Sequence, residues 1–399
     1  MKREKKEKWT RPRHRASIIF LKTVFFFAFR FKYHLKSDKV KDKRPYLILF
    51  NHQTFWDQFF ILPSLKSNKI YYLMSDDFDS MGFFSKIIRF TLKCIPFKKS
   101  SSDINAVKSI FKILKEGASV ALSPEGNRTY TGETMNINDS IAKLIKACKV
   151  PVLFLNIHGF YAYPRFASRG RKANVSVNIR KILEYDEYKD LSNEELYKLV
   201  KEYLYVNDYD TPIIVKDKRR AEYLERVLYY CHKCGMTHFH SKGSEVKCLT
   251  CGDTYHLSET YTFTEGINKT IIDWDNYQRK ILLNTKLSDL KDDYLITFDD
   301  NVRFSLVIPH KKKEVVFKEC RIEMYKDRLF FIHENNKIEV LFEDIVTSGC
   351  FGNNKVNLIL TDKIYQIKSD KRFNPLKYVY HIYKYKIEKG EIQNEFLGI

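Results

Sequence analysis

Two Cys-x-x-Cys pairs, Cys231 with Cys234 and Cys248 with Cys251, restrict the middle of this chain more than any other feature of the sequence. Gly235 and Gly252 follow the pairs and permit the tight turns that aim backbone amides at sulfur, so four thiolates converge on one ion. A tetrahedral sulfur shell suits zinc and needs no redox chemistry; a rubredoxin-like iron is the alternative. Four cysteines leave no open coordination position, so the zinc is expected to be structural, and a segment this short buries too little apolar surface to fold without it. His232, His238, His240 and His256 are then surplus to the shell and are expected to be solvated. Cys94, Cys148, Cys320 and Cys350 are scattered, which suits a reducing compartment better than a disulfide framework.

A length of 399 residues leaves room for two or three domains, each with its own core. Lys and Arg number 70 against 49 Asp and Glu, and the formal charge of +21 points to an anionic partner, nucleic acid or a lipid surface. Richness in Lys, Asn, Ile, Tyr and Phe makes compositional bias the alternative source of part of this basicity. The N-terminus sharpens the choice. A basic run from Lys2 to Arg15 precedes an apolar stretch, Ile18 to Phe31, which Lys22 and Arg30 interrupt. It is too short and too charged to span a bilayer, and no small-residue cleavage site follows it. The reading is an amphipathic helix anchored in an anionic membrane surface, with a helix packed on the protein's own core as the alternative. The expected location is the cytoplasmic face of the cell membrane, peripheral or monotopic.

From Tyr46 onward strand and helix patterns alternate. Tyr46 to Phe50, Ala118 to Leu122 and Val150 to Ile157 are apolar runs suited to buried strands, and Val175, Val177 and Ile179 alternate in another. Between them lies a helix with Ile104, Val107, Phe111 and Leu114 at helical spacing, capped by Ser101 and Ser102 and ended by Gly117. A second helix is read over Ile141 to Ala147, and a third after the Ser192/Glu195 capping-box spacing, running to about Val206. This alternation argues for an α/β domain over residues 40 to 210.

Polar clusters follow these strands. Asn51-His52 and Asp57 come directly after the first, where a tight turn lets the carboxylate reach one imidazole nitrogen and makes His52 a general base. Ser123-Pro124-Glu125-Gly126-Asn127-Arg128 follows another; Gly126 permits a turn, and Arg128 offers a planar donor fork for phosphate or a structural ion pair with Glu125. Lys98 and Lys99 end a third segment, as phosphate contacts or a solvated basic surface.

The ordered set Asn51-His52 to Asp57, Pro96-Phe97-Lys98-Lys99, Pro124-Glu125-Gly126-Asn127-Arg128 and Val150-Pro151-Val152 resembles the four motifs of the glycerolipid acyltransferase family that includes 1-acylglycerol-3-phosphate acyltransferase. The resemblance covers about residues 17 to 210. It implies that His52 is the base, Asp57 its partner, and Arg128, in the loop of Glu125 and Gly126, a holder of acceptor phosphate. Family members usually close the second motif with Arg, whereas Lys98-Lys99 supplies point charges; Ser123 and Asn127 stand where Phe and Thr are usual. The implied reaction moves a fatty acyl group from an acyl-CoA or acyl carrier protein thioester to a lysophospholipid hydroxyl, foremost lysophosphatidic acid to phosphatidic acid, with no organic cofactor. Another lysophospholipid or glycerol 3-phosphate is the alternative acceptor. A different class of function, a non-enzymatic basic adaptor binding lipid or nucleic acid, is disfavoured: the cysteine segment shows no clear aromatic platform for a single strand, and no nucleic-acid partner is expected.

The cysteine segment itself resembles a zinc ribbon. After it, a short helix is read from Trp274 to about Leu283, then β-rich runs including Arg328 to Ile332, Lys337 to Phe342 and Lys355 to Leu360, and a helix from Pro375 to about Ile387. Strands closed by one helix resemble in outline a pleckstrin-homology-like or GRAM-like fold, either a lipid-docking module or a support for the ribbon. The expected architecture is a basic N-terminus and interfacial helix (1–40), an α/β acyltransferase domain (41–228), a zinc ribbon (229–260), a helical connector (261–292) and a small mostly-β C-terminal domain (293–399).

Overall fold

A computed structural model describes residues 9–75, 88, 91–97, 103–211, 214–308 and 313–392. The chain divides into two compact units: the described residues up to Pro164 with Arg171–Thr211, and Arg165–Gly170 with the described residues from Ile214 onward.

The first unit opens with α1 (Pro12–Tyr33), started by Pro12, whose fixed φ and missing N–H suit a first helical position. Its inner face buries Ile18, Phe29 and Tyr33. Phe29 stacks edge-on against Phe60 at 4.8 Å and Phe25 lies 4.2 Å from Phe59. Its outer face carries Phe20, Val24, Phe27 and Phe31 at helical spacing, with Phe20 66% and Phe31 80% exposed. The helix is thus packed on the protein's own core through its inner face. No described helix is long and apolar enough to cross a membrane.

Seven strands follow: β1 (Lys36–Ser37), β2 (Leu47–Phe50), β3 (Ile70–Ser75), β4 (Ile95–Phe97), β5 (Ser119–Leu122), β6 (Val152–His158) and β7 (Ser176–Leu183). They pair in the order β1-β7-β6-β2-β5-β3-β4, parallel throughout except between β6 and β7. Burial on both faces explains the continuous apolar runs of β2 and β5. Helices α2 (Asp57–Phe60), α3 (Ile104–Lys115), α4 (Ser140–Cys148), α5 (Tyr185–Tyr188) and α6 (Asn193–Leu204) belong to the same unit. In α3 the cap is Asp103, which accepts the Ala106 N–H; Ser101 and Ser102 lie outside the described residues. The buried face of α3 is Ala106, Ile110, Ile113 and Leu114, while Ile104 is 65% exposed. Apolar residues at helical spacing occur on two faces of this helix, so its neighbours choose between them. The capping box of Ser192 and Glu195 forms as the spacing predicts.

In the second unit the cysteine segment makes β8 (Tyr230–Cys231), β9 (Gly235–Met236), β10 (Phe239–Lys242), β11 (Glu245–Cys248) and β12 (Thr254–His256). Helix α7 (Ile271–Asn284) places Trp274 among Phe239, Tyr255 and Phe263, with its indole N–H donating to the Tyr230 carbonyl. Two nearby histidines have partners within the fold, although the His238 side chain is 39% exposed. His232 packs 4.3 Å from the Tyr277 ring, and His238 lies 3.2 Å from both Asp299 and the buried Lys377 ammonium. An ammonium withdrawn from water needs such partners, and Asp299 at 2.8 Å supplies the charge.

The remainder is a seven-stranded antiparallel sheet, β13 (Thr297–Val307), β14 (Glu314–Met324), β15 (Arg328–His333), β16 (Asn336–Leu341), β17 (Ile345–Cys350), β18 (Lys355–Leu360) and β19 (Ile364–Lys368), followed by α8 (Leu376–Glu388). The strand order is β16-β15-β14-β13-β19-β18-β17.

Candidate active site and metal centre

Strands β6, β2 and β5 are neighbours, so the loops at their C-terminal ends meet. Asn51 continues the ladder past the end of β2: its amide donates to the Ile157 carbonyl at 2.9 Å and accepts the Ile157 N–H at 2.7 Å. His52 comes next. Its backbone N–H donates to Glu125 Oε1 at 2.7 Å and its carbonyl accepts the Thr129 N–H at 2.9 Å, so the loop after β5 clasps it from both sides.

His52 Nδ1 lies 2.7 Å from Asp57 Oδ2. The Asp57 carboxylate is fully buried and also accepts from the Gln53 N–H at 2.7 Å, the Thr54 N–H at 2.9 Å and the Thr54 hydroxyl at 2.8 Å. An ionised carboxylate can only accept, so Nδ1 carries a proton and Nε2 is the basic nitrogen of the ring. The His52 side chain is 26% exposed, so the ring is fixed on its Nδ1 side without being fully buried.

Glu125 is buried, its oxygens accepting the N–H groups of His52 and of Met135, each at 2.7 Å. Its role is to hold the His52 loop. Burial pushes this carboxyl up to about 8; the Met135 and His52 amides oppose the shift and the Asp57 charge adds to it. A raised carboxyl binds its proton more tightly in the folded chain, so the stability it contributes is full below the ordinary value of 4.5 and is lost as pH rises through about 8. The unfolding free energy of Glu125→Gln, which does not titrate, should therefore gain on the wild type by a few kcal/mol between about pH 5 and about pH 9. A difference that stays constant with pH contradicts this assignment.

Gly126 has φ +71 with open space beyond its Cα, so backbone conformation and not crowding demands glycine there. Arg128 is half-buried in the same loop. Lys98 and Lys99 lie outside the described residues.

Sequence reading missed the bridging roles of Asn51 and Thr54, and a second imidazole–carboxylate pair. His158, the last residue of β6, places Nδ1 3.2 Å from Asp208, which is fully buried and accepts the N–H groups of Gly159 and Phe160 at 3.1 and 2.7 Å. Fifty residues separate that pair, and no local spacing signals it.

In the second unit, the sulfurs of Cys231, Cys234, Cys248 and Cys251 all lie within 4.8 Å of one another, with Cys231 and Cys251 at 3.8 Å and Cys234 and Cys248 at 3.9 Å. Metal–sulfur bonds of about 2.3 Å in a tetrahedron space their sulfurs about 3.8 Å apart, so the donor set fits one such ion.

The acyltransferase family model matches residues 30–157, a stretch containing His52, Asp57, Glu125, Gly126 and Arg128. No curated protein matches the chain. Among solved structures, the 1-acyl-sn-glycerophosphate (LPA) acyltransferase PlsC from Thermotoga maritima is similar at 20% identity and a TM-score of 0.41, over 49% of this chain and 81% of that one. The His52–Asp57 pair is assembled within residues 30–157, the stretch that matches the acyltransferase family model.

Proposed function

We propose that this protein transfers a fatty acyl group from an acyl-CoA or acyl carrier protein thioester to the free hydroxyl of a lysophospholipid, converting lysophosphatidic acid to phosphatidic acid. The observation that carries the reading is His52 held by the four-donor carboxylate of Asp57 inside the family-matched stretch. His52 Nε2 takes the acceptor hydroxyl proton as the oxygen attacks the thioester carbonyl. Collapse of the tetrahedral adduct breaks the C–S bond, and the proton passes from the imidazolium to the departing thiolate. Arg128, with Lys98 and Lys99, is assigned to the acceptor phosphate. Supplying a panel of lysophospholipids and glycerol 3-phosphate with both thioester donors tests the substrate, with product read by mass. Preference for an acceptor lacking a phosphate monoester contradicts the lysophosphatidic acid assignment.

The membrane contact belongs to α1, whose outward Phe20, Val24, Phe27 and Phe31 form an apolar stripe suited to the cytoplasmic bilayer interface. Replacing Phe20, Phe27 and Phe31 with Ser should weaken binding to neutral vesicles at least roughly tenfold, since each buried Phe contributes about 1.5 to 3 kcal/mol. Unchanged flotation with vesicles contradicts this role. The four cysteines are read as holding a structural zinc in a zinc ribbon over 229–260, and the strands and closing helix over 293–399 as a pleckstrin-homology-like domain.

A further inference from the structure

The end of β6 repeats the construction that holds His52. In the first pair one buried carboxylate, Asp57, meets Nδ1 of His52 and accepts the N–H groups of the next two residues, Gln53 and Thr54. In the second, buried Asp208 meets Nδ1 of His158 and accepts the N–H groups of the next two residues, Gly159 and Phe160. A carboxylate withdrawn from water is costly unless donors surround it, and the fold supplies the same donor set twice. Among the described residues, His158 Nε2 has no hydrogen-bond partner, and its side chain is 24% exposed, close to that of His52.

The two pairs adjoin. Strands β2 and β6 are parallel neighbours with Phe50 opposite Leu155, and both histidines stand at their C-terminal ends. The residues just before the histidines are joined, because Asn51 bonds both backbone groups of Ile157. The residue after His52 joins them again: Gln53 Nε2 donates to the Gly132 carbonyl at 3.4 Å, and that carbonyl also accepts the Asp208 N–H at 3.1 Å. Neighbouring strands run about 4.8 Å apart, a separation at which two imidazoles can flank one reacting carbon. Their carboxylates come from different sides. Asp57 opens α2, whose Phe59 packs on Phe25 of α1, whereas Asp208 follows α6, whose Tyr203 packs on Phe154 of β6.

We propose that His158 is a second catalytic residue of acyl transfer, the proton donor to the departing sulfur. The role rests on the reaction proposed above and divides its two proton steps between two rings. His52 Nε2 takes the hydroxyl proton as the oxygen–carbon bond forms. The carbon–sulfur bond then breaks with its electron pair going to sulfur, and sulfur takes the Nε2 proton of the His158 imidazolium. Asp208 supplies the counter-charge of that imidazolium and fixes Nδ1 as its donor. An alkyl thiol holds its proton up to about pH 8.5, so the departing sulfur needs one near neutrality. Solvent carries the proton from His52 to His158 before the next turnover, so the proton lost by the hydroxyl is balanced by the one gained by the thiol.

The test compares two donors on one preparation of the full chain: acyl-CoA, whose alkyl thiolate needs a proton to leave, and an acyl thioester of nitrothiophenol, whose thiolate leaves without one. His158→Asn keeps an amide donor for Asp208. It should lose roughly 10- to 100-fold with acyl-CoA, at or below the usual contribution of a general acid, and less than about threefold with the aryl thioester. H52A should lose both alike. The ratio of the two rates does not depend on the folded fraction, and His158→Gln supplies it should the Asn variant not fold. Turnover of acyl-CoA equal to wild type overturns the proposal, and so does an equal loss with both donors, which would make His158 only a brace for its loop. Wild-type protein that transfers acyl groups from neither donor contradicts acyl transfer itself, and this role falls with it.

Discussion

Replacing His52 with Ala should lower acyl transfer by roughly 10² to 10⁴ while leaving the fold and membrane binding intact, the usual consequence of removing a general base. The fold is expected to survive because the His52 backbone, not its ring, makes the clasp: its N–H is bound by Glu125 and its carbonyl by Thr129. The ring bonds Asp57, whose carboxylate keeps the Gln53 and Thr54 donors after the substitution. Asp57→Asn should also be severely impaired, since an amide cannot satisfy those donors and fix the same tautomer. Turnover measured at matched folded fractions by circular dichroism checks both variants. A purified H52A protein with near-normal turnover contradicts the assigned base.

The second large effect concerns the metal. Wild-type protein should contain about one zinc per chain, and Cys248→Ser should lose it, because three thiolates no longer complete the shell. Structural zinc contributes on the order of 10 to 16 kcal/mol in small modules. Here the hairpins close mainly on Trp274 and the rings around it. The cysteine segment should therefore open and become sensitive to protease. His52, Asp57 and Glu125 belong to the other unit, so C248S should retain acyl transfer at temperatures where that unit stays folded. Elemental analysis, limited proteolysis and turnover on one preparation check this. Activity that disappears and returns in proportion to added zinc, with no change in fold, contradicts a structural metal.

Local patterns revealed much of this architecture. His52 and Asp57 are five residues apart and pair as their spacing predicts, and the two cysteine pairs bring their sulfurs together. Helix α6 also falls where its capping spacing places it, whereas α7 begins at Ile271, three residues before the start read from sequence. What escaped reading depends on contacts distant in sequence. Glu125 was legible as a loop residue, but its grip on the His52 amide crosses 73 residues and exists only because β2 and β5 are neighbours. Asn51 meets Ile157 across 106 residues for the same reason, through β6. His238 was expected to be solvated; folding brings it to Asp299, across 61 residues. In α3, two apolar sets satisfied one period, and only packing selected Ala106, Ile110, Ile113 and Leu114.

The central claim is acyl transfer from a thioester to a lipid hydroxyl at His52, and the stoichiometry of the reaction tests it most directly. Wild-type protein is mixed with lysophosphatidic acid and an acyl thioester, and released thiol and new lipid ester are counted together by mass over time. The account expects one phosphatidic acid for each thiol freed, with both signals lost together in H52A. Thiol released without lipid ester, or no thiol released with any acceptor and either donor, contradicts it.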